Sequence, residues 1–183
     1  MQQVLSVRSA IYGQFHGSTA LTGLQGDDFA AYYTSMYLIQ DTGEAVHAHM
    51  QVDFSPHPMR AYLEFWGVMQ AVFIQQDAIS ELHRVIVGTR PTLLANSPWT
   101  TLRDVRNLCA GHPARRTSGV PATQRTFMGR SFGSYDRITY ELWDASGCIT
   151  HPVFSLRQMI QDYDGEAAQV LQNVLTAMTA RWP

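Results

Sequence analysis

Arg106, Asn107 and His112 lie in the stretch Arg-Asn-Leu-Cys-Ala-Gly-His, which Pro113 closes, and these residue types at this spacing suit metal-free phosphodiester chemistry. Arginine keeps its charge and offers a planar fork of donors that grips a phosphate at two points, while histidine gains or loses a proton near neutral pH. The reaction such a pair fits is RNA cleavage. The imidazole would take the proton of a ribose 2′-OH or protonate the leaving 5′-oxygen, and the guanidinium would stabilise charge on the phosphate in flight. Asn107 would orient the histidine or hold the helix end by hydrogen bonding. The plainer alternative makes Arg106 and Asn107 surface residues and His112 a C-terminal cap on the helix dipole.

The basic residues are all arginine, thirteen of them, in a chain whose formal net charge is only -2. Seven (Arg103, Arg106, Arg115, Arg116, Arg125, Arg130 and Arg137) fall between residues 103 and 137 against two acids, Asp104 and Asp136, which leaves that segment at +5. Arg103, Arg115, Arg116, Arg125 and Arg130 are therefore candidate contacts to an RNA backbone. A coding bias toward arginine over lysine, with a solvated loop, explains the same pattern without a ligand. Asp77, near Glu81 and His83, is a candidate carboxylate for orienting the motif.

These side chains need a frame, and at 183 residues and 45% hydrophobic the chain is expected to form a single domain over 1–183. Residues 1–26 have weak periodicity with scattered Gly, Ser and Thr, and read as an irregular segment. From Asp27, the residues Phe29, Tyr32, Tyr33, Met36 and Ile39 recur at helical spacing toward about Val52, with Asp41-Thr42-Gly43 as a candidate interruption. After the breaker Ser55-Pro56-His57-Pro58, Tyr62, Trp66, Met69, Phe73, Leu82 and Ile86 mark a long second helix. Ser97-Pro98 reads as an N-cap and first helical residue opening a short third helix through Trp99, Leu102, Val105 and Cys109, which Gly111 and Pro113 end. An Arg-, Ser- and Pro-rich linker follows. Ile138 to Trp143, a turn over Asp-Ala-Ser-Gly, and Cys148 to Phe154 predict a β-hairpin at about 135–154. Leu156, Met159, Ile160, Tyr163, Ala167, Val170, Leu171, Val174 and Met178 form the cleanest helical stripe, the fourth helix. The expected fold is mainly α, with a helical core over 27–182 and the hairpin inserted before the last helix.

Four helices with Arg106, Asn107 and His112 at the C-terminal end of the third resemble the HEPN domain, a family of small helical ribonucleases and nucleotide-binding modules. The family pattern of Arg, then Asn, Asp or His, then His after four to six residues matches at these three positions. The resemblance implies a four-helix HEPN-like bundle and a metal-independent endoribonuclease without cofactor. It also implies a homodimer and a toxin or phage-defence role with an antitoxin or regulatory partner. Its alternative is a non-catalytic module binding nucleotide, RNA or protein. A HEPN subgroup paired with nucleotidyltransferase antitoxins has Tyr two residues after the histidine, where this chain has Ala114. Six residues of ideal helix put Arg106 and His112 about 9 Å apart along the axis and about 120° around it, which favours a site completed by a second chain. Leu102, Val105 and Cys109 would serve that contact or face the core.

Other candidates carry less chemistry. His47, His49 and His57 lack a clear third metal ligand, so no metal site is expected. Trp66, Trp99, Phe65 and Phe73 are expected in the core, whereas Tyr140 and Trp143 point to opposite faces of the hairpin, so that one could meet an unpaired base. Cys109, on an apolar face, is expected to be a packed thiol. Two cysteines without Cys-x-x-Cys spacing, no export signal and no membrane-length apolar run lead to the expectation of a cytoplasmic protein.

Overall fold

The structure, a computed structural model, describes residues 1–114 and 124–183 and is mainly helical, with small antiparallel sheets toward the C-terminus. The helices are α1 (Gln2–Gly17), a single turn α2 (Ala20–Gly23), α3 (Gly26–Val52), α4 (Pro58–Val87), α5 (Pro98–Arg106) and α6 (Leu156–Arg181), and a π-helical turn (Asn107–Gly111) continues α5. The strands, all between that turn and α6, are β1 (Arg125–Phe127), β2 (Gly133–Ser134), β3 (Arg137–Thr139), β4 (Glu141–Trp143), β5 (Ile149–Thr150) and β6 (Val153–Phe154).

The four long helices close a ring. α1 packs along α3 and α6, and α4 packs along the same two; α5 lies against α4 and α6 from outside. This corrects two expectations: residues 1–26 are not irregular, and α1, not the short motif helix, joins α3, α4 and α6 in the helical core. The physical reason is twofold. Val4, Ile11 and Phe15 are fully buried but form a stripe only one residue wide, too sparse to stand out as periodicity. The cap is supplied from far away, because the buried Asp164 on α6 accepts hydrogen bonds from the backbone of Gln3 (3.1 Å) and Val4 (3.0 Å).

α3 runs without a break through Asp41-Thr42-Gly43. The Thr42 hydroxyl donates to the Leu38 carbonyl of its own helix, and Gly43 sits where a Cβ would come within 3.0 Å of Leu5 and 3.1 Å of Gln75. Glycine is there because three elements meet, not because the helix ends. α4 starts at Pro58 and stops at Gly88, whose φ of 89° is the left-handed conformation that glycine adopts without strain. α5 carries the expected serine cap, Ser97 accepting from the Thr100 amide, and α6 has one of the same kind, Ser155 accepting from the Gln158 amide. The α6 stripe from Leu156 to Met178 is buried, except that Met159 is only partly so.

The predicted hairpin is split into two ladders, each recruiting a further strand. β4 pairs with β5 and with β1, while β3 pairs with β6 and with β2, all antiparallel. Pro152 lies between β5 and β6 and has no N–H to donate, so the continuous ladder breaks there and only its carbonyl is used, by Tyr140 at 3.3 Å. The turn is held by Asp144, whose Oδ1 accepts from the Ser146 amide (2.8 Å), the Ser146 hydroxyl (2.6 Å) and the Cys148 amide (3.0 Å).

Candidate functional site

The motif occupies a change of helical pitch. At the end of α5 the His112 N–H donates to the Asn107 carbonyl at 2.8 Å, an i to i+5 bond in place of the α-helical bond to Leu108. The Leu108 carbonyl then has no donor within the helix, because the residue five further on is Pro113. Thr126 on β1 fills the gap: its hydroxyl donates to the Leu108 carbonyl and its backbone N–H donates to the Pro113 carbonyl at 2.8 Å. One residue thus fastens β1 to the motif turn, and it brings the neighbouring Arg125 to that end of the molecule.

Arg106 is held on several sides. Its Nη1 donates to Asn107 Oδ1 at 3.1 Å, and its Nη2 donates to Gln70 Oε1 on α4 at 2.8 Å. The guanidinium carbon lies 4.1 Å from the centre of the Phe73 ring, a cation–π contact, and a Cβ on Gly111 would fall 2.6 Å from Nη1. Nε is buried without a partner. Asn107 therefore orients the arginine, not the histidine, while its backbone carbonyl closes the π turn. His112 contrasts with Arg106. It is exposed, and among the described residues its imidazole has no hydrogen-bond partner.

The surrounding candidates divide. Arg103 stacks on the same Phe73 ring at 4.2 Å and pairs with Asp77 at 2.9 Å. Asp77 is thus a partner of Arg103 and, among the described residues, makes no hydrogen bond or ion pair with Arg106 or His112, and Glu81 is taken by Arg84 at 2.7 Å, which holds its carboxyl below the usual range. Arg125 and Arg130 are exposed on β1 and the loop after it, whereas Arg115 and Arg116 lie outside the described residues. Leu102 and Cys109 face the core, and burial pushes the Cys109 thiol up to about 12, so it is a packed thiol and no nucleophile. His49 is held by the Tyr135 hydroxyl at 2.8 Å and Glu64 at 3.6 Å. Among the described residues no three His, Cys, Asp or Glu side chains gather as a metal would require.

Gln70, Phe73, Gly111 and Thr126 build the site without having been expected in it, and they had no local signal, since each acts through a tertiary approach. Phe65 and Trp99 are core as expected. Trp66 is not: it is 43% exposed and lines a groove of about 740 Å³ between α4, the exit of the motif turn and β1. Of Tyr140 and Trp143, Trp143 is exposed and Tyr140 buried against Phe154, so it is Trp143 whose ring meets solvent. No described helix is long and apolar enough to cross a membrane. No family model, curated protein or solved structure matches the chain.

Proposed function

We propose that this chain is a metal-independent endoribonuclease whose site is completed by a second copy of itself. The observation that carries the reading is the contrast within one short turn: a guanidinium fixed by Gln70, Asn107, Phe73 and the open space over Gly111, followed by an exposed imidazole with no partner among the described residues. A preorganised cation costs no reorganisation when charge develops on phosphate, and an unengaged imidazole is available for proton transfer.

In the reaction, neutral His112 of one copy accepts the 2′-OH proton as the 2′-oxygen attacks phosphorus. The bond from phosphorus to the 5′-oxygen breaks, and a water molecule donates a proton to that oxygen and takes one back from His112. Arg106 of the other copy stabilises the extra negative charge on the phosphoryl oxygens. The products are a 2′,3′-cyclic phosphate and a 5′-OH, and DNA, which lacks the nucleophile, is inert. Exposed Arg125 and Arg130 extend the cationic path for the strand. The HEPN resemblance adds a toxin or phage-defence role with an antitoxin or regulatory partner.

A second reading, a non-catalytic module binding nucleotide, RNA or protein on this face, draws on one observation: Arg106 already spends two donors inside its own chain. Alanine variants separate the two. Arg106→Ala and His112→Ala should each lower cleavage at least about a hundredfold with the fold intact, and Asn107→Ala should lower it less. Full activity in either of the first two refutes the nuclease reading at this site.

A further inference from the structure

We infer that the groove beside the motif is a seat for an unpaired nucleobase next to the scissile phosphate, so that the protein selects single-stranded RNA. This rests on the nuclease reading above and deepens it. The groove of about 740 Å³ is within the range of about 300–1,000 Å³ usual for small-ligand sites. One wall is Trp66 on α4, 43% exposed and braced edge-on by Tyr62 at 5.3 Å between ring centres, with Tyr62 in turn set against Phe132 at 5.7 Å. Phe127 on β1, 58% exposed, lines it as well. Trp66, held in this way, is a stacking platform whose order is already established before a base arrives.

Position ties the groove to the chemistry. Pro113 and Ala114, the two residues directly after His112, lie on its rim, and Thr126 fixes the strand bearing Phe127 to the same turn. A base seated between Trp66 and Phe127 therefore has its phosphate at the His112 end. The charge agrees: the groove's described lining holds a cation, Arg130, and no acid, and Arg125 precedes Phe127 by two residues. An anionic backbone carrying a flat apolar base matches both properties. A paired base, with its faces stacked in a duplex, cannot enter.

The test is equilibrium binding to His112→Ala protein, which keeps the groove and does not turn over the probe. A short oligouridylate, an abasic ribose-phosphate strand of the same length and a duplex are compared. The intact single strand should bind about tenfold more tightly than the abasic one, and Trp66→Ala or Phe127→Ala should each remove about tenfold from the first while leaving the second unchanged. Both side chains are exposed, so neither variant is expected to unfold. The inference is overturned if both variants bind the oligouridylate like the parent, if abasic strand or duplex binds equally well, or if Trp66→Ala acts by turning a dimer into a monomer. Tight base-dependent binding with no cleavage by the wild-type protein would sink the nuclease reading and keep the base seat; cleavage with unaltered binding in both variants would do the reverse.

Discussion

Arg106 lays its guanidinium against Gly111, five residues further on, with room for a hydrogen there and none for a methyl: a Cβ at Gly111 would sit 2.6 Å from Nη1 and 3.3 Å from the guanidinium carbon. The atom in the way is the far end of a flexible side chain, so Gly111→Ala should move the arginine and leave the backbone alone. Stability should hold or rise by up to about 1 kcal/mol, because alanine has less chain entropy to lose. Cleavage should fall about a hundredfold, the usual consequence of a misplacement near 1 Å. Thermal melting and initial rates on one preparation check both halves; an unchanged rate would mean that this pose of Arg106 is irrelevant to the reaction.

If two copies share the work, two dead proteins should rescue each other. Arg106→Ala and His112→Ala, each inactive alone, should regain on the order of a quarter of wild-type activity when mixed and allowed to exchange subunits, since half the dimers are mixed and each keeps one intact Arg–His combination across the interface. A mixture as inactive as its components would place the whole site within one chain.

Thr126 is predicted to matter for stability through an atom it does not own. Thr126→Val keeps the shape and removes the hydroxyl, leaving the Leu108 carbonyl of the π turn without a donor, a loss of about 1–3 kcal/mol. Urea denaturation should show a lower midpoint at unchanged slope. A midpoint equal to wild type would show that the turn needs no support from β1.

The two cysteines should differ sharply toward alkylation. Burial pushes the Cys109 thiol up to about 12, so at mildly alkaline pH it stays protonated and shielded, whereas Cys148 is exposed. Intact-mass measurement should find one adduct on the folded protein and two after denaturation. Rapid modification of Cys109 in the folded state would contradict its placement in the core.

What the sequence made legible was what its local chemistry determines. Ser97-Pro98 announces α5, the breaker Ser55-Pro56-His57-Pro58 marks the chain just before and at the start of α4, and the apolar stripes of α4 and α6 announce their buried faces. α1 escaped because its cap, Asp164, is over a hundred and fifty residues away and its stripe is one residue wide. The candidate interruption at Asp41-Thr42-Gly43 is instead a place where Leu5 and Gln75 approach an unbroken helix closely. Within the site, the spacing of Arg106, Asn107 and His112 was readable, but the partners of Arg106 were not. Gln70 and Phe73 lie more than thirty residues upstream and reach the arginine only because α5 docks on α4. Asp77, a candidate for orienting the motif, is paired with Arg103 instead, through the docking of α5 on α4 that the sequence does not display.

The account's central claim is that these residues cut RNA by way of its own 2′-OH. The direct measurement is incubation of the wild-type protein, in EDTA, with a single-stranded oligoribonucleotide and with the same strand carrying one 2′-deoxy nucleotide at the cleaved position. The account predicts cleavage of the first to a 2′,3′-cyclic phosphate and a 5′-OH, with no cut at the substituted position in the second. Loss of all cleavage in EDTA, or equal cleavage at the 2′-deoxy position, would contradict it.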